Sequence, residues 1–305
     1  MYVVKRFDPW KSSLCTCPPK YSLQPYTGCS HKCLYCYVTS YIKARKAKPK
    51  KDFIQKLIAD LRKIDLSLPI NMSTSSDPYT PEEGKFILTR RALEIMVPKA
   101  AKILITTKGT ILQRDIDIIS QGNVAVMVTI TTLDDSLASI IEPYAPRPSA
   151  RLKMLEILGN NKVPFGVRID PIIPYINDDL GTLKDLVDIV VNLGAKHIVT
   201  STYKARPDSL RRLTNAFPDL ENKLNRLYSK ESPKISNYRY LPADKRKSLL
   251  MPIIQRAIDR GVSVATCREG FGMHAPSCDG SHLIPIRIRA KTKKFRDMEI
   301  PKIIL

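Results

Sequence analysis

Apolar runs recur along this chain at intervals that leave room for a helix between each pair. Strands are predicted at Ile70–Ser73, Ile103–Thr107, Val124–Thr131, Val163–Ile169 and His197–Ser201, with Tyr21–Thr27 ahead of them. Helical periodicity fills the gaps at Leu88–Val97, Leu112–Gln121, Ser149–Leu158 and Leu180–Leu193. In the last of these, Leu180, Leu183, Val187, Val190 and Val191 share one face. A further helix is predicted from Asp52 as its cap, with Phe53, Leu57, Leu61 and Ile64 on one side. Six strands alternating with helices predict an α/β fold with a parallel βα arrangement. The strands are continuously apolar rather than alternating, as in a sheet covered by helices. Residues 1–20 are predicted irregular, because Pro18-Pro19 ends any local element. Beyond Ser201 the alternation is predicted to break. Pro207–Ser229 and Ala243–Arg260 read as helices, and Val262–Thr266 as a short strand before a turn-rich stretch. The chain is therefore divided into an N-terminal segment (1–20), a βα body (21–205) and an α-rich C-terminal extension (206–305).

Composition changes this picture in one respect. A hydrophobic content of 43% with 26% charged residues belongs to a folded protein that buries a sizeable core. No apolar run of membrane-spanning length occurs, and Met1–Trp10 lacks the features of a signal peptide, so a cytoplasmic location and no membrane partner are expected. The formal charge, however, is +21. Basic residues gather at Lys43, Arg45, Lys46, Lys48, Lys50 and Lys51, and again at Arg287, Arg289, Lys291, Lys293, Lys294 and Arg296. Such an excess points to nucleic acid, DNA or RNA, as a partner, with a merely solvated basic face as the bland alternative.

Candidate chemistry sits in two places. The stretch Cys29-Ser-His-Lys-Cys33-Leu-Tyr-Cys36 sets three thiols within eight residues. Thiolates are the usual ligands of iron–sulfur clusters; a zinc knuckle or inert core cysteines are the rival readings. The predicted strand ends are also polar, at Ser73–Asp77, Thr106–Lys108, Thr129–Thr132 and Arg168–Asp170. In parallel βα folds functional side chains project from those ends.

In order along the chain stand Pro25-Tyr-Thr-Gly-Cys29-Ser-His-x-Cys33-x-Tyr-Cys36-Tyr37, Ser76-Asp77-Pro78-Tyr79-x-Pro-x-Glu83, Ile130-Thr-Thr-Leu-Asp134, Glu142-Pro-x-Ala-Pro-x-Pro148 and Ile172-Ile-Pro174-x-Ile-Asn177-Asp178. Over roughly residues 20–200 this series resembles the radical S-adenosylmethionine (SAM) superfamily, and within it the spore photoproduct lyase-like, or DNA repair photolyase-like, subgroup. The resemblance implies a partial (β/α)6 radical SAM barrel. It implies a SAM-binding [4Fe-4S] cluster on Cys29, Cys33 and Cys36, with Tyr35 beside the adenine. Ser75, Ser76 and Asp77 would meet the SAM amino group, Thr131 and Thr132 the ribose, and Arg151 or Arg168 the carboxylate. It further implies reductive cleavage of SAM to a 5′-deoxyadenosyl radical, with an electron donor such as ferredoxin or flavodoxin. One departure stands out. Spore photoproduct lyase uses a barrel cysteine as hydrogen donor, and this chain has none between Cys36 and Cys267. Repair of the spore thymine dimer itself is not expected; Tyr79 is the candidate catalytic donor, with a buried structural tyrosine as the alternative. The expected substrate is a nucleic-acid base, damaged or to be modified. A protein or small-molecule substrate, and a non-catalytic iron–sulfur protein that binds nucleic acid, are the rivals.

Four cysteines remain. Cys15, Cys17, Cys267 and Cys278 form a complete second set, expected to carry an auxiliary [4Fe-4S] cluster, with zinc as the chief rival and disulfides next. His274 and His282 are weaker candidates for the same site. Tyr203, Tyr238 and Tyr240, near Lys204, Arg206 and Arg239, are a candidate surface for stacking a base.

Overall fold

A computed structural model describes residues 2–7, 12–44, 46–271 and 274–287. One sheet organises them. Its strands are β1 (Val4–Arg6), β2 (Tyr21–Leu23), β3 (Ile70–Met72), β4 (Ile103–Thr107), β5 (Val124–Thr129), β6 (Phe165–Ile172), β7 (His197–Thr202) and β8 (Ser263–Thr266). They lie side by side in sequence order. Every neighbouring pair is parallel except β1 and β2, which run antiparallel. The order ends at β1 and β8, so the barrel is partial. Its helices are α1 (Phe53–Leu61), α2 (Leu88–Met96), α3 (Asp135–Ile141), α4 (Pro148–Asn160), α5 (Leu180–Asn192), α6 (Pro207–Ala216), α7 (Glu221–Leu227) and α8 (Ala243–Asp259).

All six expected body strands are present, because their apolar runs are buried on both faces. Each residue of β5 and β7 is buried. The sheet also extends past the expectation at each edge. At one edge β1 forms in the segment expected to be irregular, where the Asp60 carboxylate of α1 accepts the amides of Val3 and Val4 at 2.7 and 2.9 Å. That contact is tertiary and leaves no local signature. At the other edge the alternation resumes instead of ending. Helix α8 packs on α5, and β8 joins β7 in parallel. Leu250, Ile253, Ile254, Ala257 and Val264 are part of the main core. Repacking them elsewhere would forfeit roughly 1.5–3 kcal/mol for each large apolar side chain returned to water.

Several local expectations are corrected. Asp52 does not cap α1: it lies at φ 53° with no capping hydrogen bond. The expected helix Leu112–Gln121 is a 3-10 turn at Thr110–Asp115 followed by a short α-turn, Ile116–Ile119. There Asp115 is pulled inward by Arg90 and Arg114. Pro218 opens a separate turn and divides Pro207–Ser229 into α6 and α7. Helix α3 was not foreseen, although Asp134 is its cap and accepts from Ser136 and Leu137. No helix among the described residues is long and apolar enough to cross a membrane. Arg45 and the basic positions Arg289, Lys291, Lys293, Lys294 and Arg296 lie outside the described residues.

Asp60→Ala strands two buried amides, and we expect a loss of about 1–3 kcal/mol. Faster amide exchange at Val3 and Val4, followed by mass spectrometry, is the specific readout; unchanged exchange there would contradict the role given to Asp60.

Candidate active site

The loops leaving the C-terminal ends of the strands enclose one cavity of about 510 Å³. Its wall takes residues from the cysteine loop after β2 and from the ends of β3 to β8. Cys29, Cys33 and Cys36 all line it, and so do Cys15, Cys17 and Cys267. A hollow at the opposite end of the sheet, lined by residues such as Glu156, Lys162 and Asn192, contains no cysteine.

The cysteine loop is fixed by its backbone. Gly28 has φ +82°, and a Cβ there would stand 2.4 Å from the Ala44 carbonyl oxygen, so the loop crosses the Lys-rich segment where only glycine fits. Ser30 Oγ donates to Glu82 at 2.6 Å and accepts from the Ala47 amide at 3.0 Å. From α6, Arg212 donates to the carbonyls of Leu34 and Cys36 at 2.9 and 2.7 Å. The Leu34 amide reaches Ile141 O at 2.8 Å.

The three thiols differ electrostatically. Burial pushes Cys33 and Cys36 up. Burial acts on Cys29 in the same sense, but the hydrogen bond and charge of His31 outweigh it and leave this thiol below its ordinary value. Burial would push His31 down, yet the Asp77 carboxylate 3.4 Å away raises it to about 10. Asp77 in turn resists burial through the His31 charge and its hydrogen bonds, and falls to about 2. Its oxygens accept from Thr107 Oγ1 at 2.6 Å, the Lys108 amide at 2.8 Å and the Tyr79 amide at 2.9 Å. Asp77 therefore clamps the ends of β3 and β4 together.

Of the other expected site residues, Tyr35, Ser75, Ser76, Asp77 and Arg168 line the cavity. Ser75 donates to Gln24, while Ser76 Oγ is buried with no partner among the described residues. Arg168 pairs with Asp170 at 2.5 Å. Thr131, Thr132, Arg151 and Tyr79 are not among the lining residues. Thr131 donates to Glu142 at 3.1 Å, and Thr132 accepts from the Asp134 amide at 3.1 Å. Arg151 is fully buried. Its Nε and one terminal nitrogen donate to Pro146 O and Thr129 O at 2.8 and 2.9 Å, and the other terminal nitrogen to Glu142. All three guanidinium nitrogens are engaged, so Arg151 supports the wall from behind. Tyr79 hydrogen-bonds Asp115 at 3.1 Å on the same hidden side.

The aromatic surface expected at Tyr203, Tyr238 and Tyr240 is not open to a base. These rings are 1%, 3% and 1% exposed, and Lys204 is held by Glu269 at 2.7 Å. Lys204 does stand 5.6 Å from the Tyr240 ring and Arg206 5.1 Å from that of Tyr238, and Arg268 adds contacts of 5.4 Å to the Tyr37 ring and 4.8 Å to that of Tyr238. Lys108 stands 5.5 Å from the Tyr35 ring. Lys108 was visible only as part of a polar strand end, and Arg268 carried no sequence signal. The lining holds seven lysines and arginines, with His31 besides, against three aspartates. Among the described residues, Lys108 and Arg268 have no carboxylate within ion-pair distance.

The donor chemistry fits an iron–sulfur cluster with a polar cofactor beside it: three unbridged thiols face one cavity, and a partnerless serine hydroxyl lies within it. Among the described residues, no group of three or more His, Cys, Asp or Glu side chains is placed so that it could hold a metal ion.

A family model described as the Radical SAM superfamily matches residues 23–215. An uncharacterized protein of Mycobacterium tuberculosis is 26% identical over 251 residues, covering 76% of this chain and 72% of the relative. An uncharacterized protein of Acidianus two-tailed virus is 32% identical over 189 residues, 54% of this chain and 62% of that one. Among solved structures, a spore photoproduct lyase variant with bound AdoMet and dinucleoside spore photoproduct superposes with a TM-score of 0.64 at 16% identity, over 85% of this chain and 79% of that one. Streptococcus suis SuiB bound to S-adenosylmethionine gives 0.53 at 16% identity, over 80% and 49%. At these identities the structures establish a shared fold.

Glu142 is held below the ordinary carboxylate range: burial opposes its charge, and Arg151 and Lys108 overcome that opposition. A lowered carboxylate stabilises the fold above its unfolded value of about 4.3, and the contribution is lost as pH falls below it. Arg151→Ala leaves Glu142 buried without its partner, and we expect about 3–5 kcal/mol of destabilisation at neutral pH. Acid unfolding, followed by circular dichroism, should then begin at a higher pH than in the unaltered protein; an unchanged onset would contradict the pairing.

Proposed function

Because this chain belongs to the radical SAM superfamily, we propose that it holds a [4Fe-4S] cluster on Cys29, Cys33 and Cys36 and cleaves SAM there to attack a nucleic-acid base. The chain is an enzyme of that superfamily; its substrate is the step beyond. The observation that carries the reading is the cavity, which joins the three thiols to an excess of cations; Lys5, Arg6, Lys108 and Arg268 have no carboxylate partner among the described residues. When bound, the cluster supplies one electron that splits SAM and yields a 5′-deoxyadenosyl radical.

The protein's own residues do the rest. Cys29, Cys33 and Cys36 would supply the thiolates that hold a [4Fe-4S] cluster. His31 and Asp77 favour the thiolate at Cys29 and lock the loop against β3. Ser76, with its free hydroxyl, and Ser75 are placed to meet polar groups of the cofactor. Tyr35, anchored on Glu142, offers a ring face at the wall. Lys108, Arg168 and Arg268 make the remaining wall cationic, which suits phosphate. Arg268 above Tyr37 adds a flat, charged surface for a base. The spore photoproduct lyase neighbour carries a dinucleoside in its structure, and a ligand of that class suits this lining. The SuiB fold has also been solved with a precursor peptide, and the basic wall is what favours nucleic acid over a peptide here. A one-electron donor such as ferredoxin or flavodoxin completes the proposed system.

Two measurements test this. With dithionite and SAM under anaerobic conditions, the reconstituted protein should release 5′-deoxyadenosine, and Cys33→Ala should reduce that release at least ~100-fold, the scale of losing a group essential to the chemical step. Release at an unchanged rate in the variant would overturn the cluster assignment. Separately, affinity for a fluorescent single-stranded oligonucleotide should fall by roughly tenfold or more between 50 and 200 mM salt. No binding at the lower salt would overturn the nucleic-acid reading while leaving SAM cleavage intact.

A further inference from the structure

Cys15, Cys17, Cys267 and Cys278 are not needed for the chemistry just described, yet the fold gathers them. Cys278 Sγ stands 3.5 Å from Cys17 Sγ, across 261 positions of sequence. Cys15 stands two residues before Cys17, and Cys15, Cys17 and Cys267 line the same cavity. A buried ion pair beside them, Lys20 to Asp279 at 2.5 Å, holds the same two ends of the chain together. Chain segments this distant converge on one spot only when something offsets the entropy of closing so long a loop.

We infer that these four thiols form a second metal site that takes a single tetrahedral zinc ion and staples the N-terminal segment to the C-terminal end of the sheet. Zinc–thiolate bonds of about 2.3 Å in a tetrahedron set neighbouring sulfurs roughly 3.8 Å apart. The Cys17–Cys278 separation is close to that spacing. In a cubane each thiolate takes a different iron, which spreads the sulfurs more widely. The spacing therefore reverses the preference for an auxiliary cluster that cysteine count alone gave. A disulfide does not describe the pair as it stands, since both thiols are unbridged and bonded sulfurs sit about 2.05 Å apart.

The surroundings suit a doubly negative zinc–tetrathiolate. Arg168 and Lys20 line the same cavity as Cys267 and Cys17, so positive charge stands beside the thiols. Neither histidine competes. His274 is exposed, and His282 is engaged with Ser277 Oγ at 2.7 Å and Ser263 Oγ at 3.2 Å. Four thiolates close the coordination shell, so the site is structural. A tetrahedral cage would require Cys15 and Cys267 to draw in to the Cys17–Cys278 pair. The inference is independent of the substrate.

Elemental analysis of the full chain, purified and reconstituted without oxygen, should find about one zinc and about four irons per chain. Replacing Cys29, Cys33 and Cys36 together with alanine should remove the iron and retain the zinc. Cys17→Ser with Cys278→Ser should remove the zinc and retain the iron. About eight irons without zinc would overturn the single-ion assignment in favour of a second cubane, and four irons alone would overturn the site altogether. Should the serine variant fail to fold, cobalt(II) added to zinc-stripped, otherwise unaltered protein gives a second reading. A thiolate-to-cobalt charge-transfer band marks the tetrahedral site, and its absence would overturn it. Zinc without iron in the otherwise unaltered, reconstituted protein would count against the cluster reading alone, so the two failures are distinguishable.

Discussion

A carboxylate fully withdrawn from water, that of Glu142, ties the cysteine loop to the sheet. It receives Tyr35 from the loop, Thr131 from beyond β5, and Arg151 from α4. None of the three could be released cheaply, because an unpaired buried charge costs several kcal/mol. The network thus converts a flexible run of small steps between thiols into a loop with a fixed position above the strand ends. Asp77 does the corresponding work on the other flank, where it joins β3, β4 and His31.

These two acids explain an apparent paradox of the cavity. A basic chain places two buried carboxylates at its functional end, but both are spent on internal bonds. The acids that do line the cavity, Asp77, Asp170 and Asp279, are paired with His31, Arg168 and Lys20, so what remains there without an opposite charge is cationic. The division of labour is between acids that hold the wall and bases that present it. Arg168 shows the boundary case, since it lines the cavity while pairing with Asp170.

The strands of the body were legible because burial on both faces demands continuous apolar runs, and such runs survive any change of context. The thiol triplet was legible because its spacing is itself the signature of its chemistry. Less local features were hidden. Strand β1 depends on Asp60, more than fifty residues away in sequence. Arg151 and Arg168 look alike in sequence, and only packing reveals that one is enclosed and the other faces the cavity. Tyr203, Tyr238 and Tyr240 carry the composition of a stacking surface, but their rings are consumed by the core. The pairing of Lys20 with Asp279 could not be read either, since nothing local to either residue points to the other.

The crossing at Gly28 has a mechanical consequence. The residue next to Cys29 is pressed against the carbonyls of Ala44 and Lys46, with no side chain to act as a cushion. A shift of the segment that carries those carbonyls is therefore passed to the residue before Cys29 within a single peptide unit.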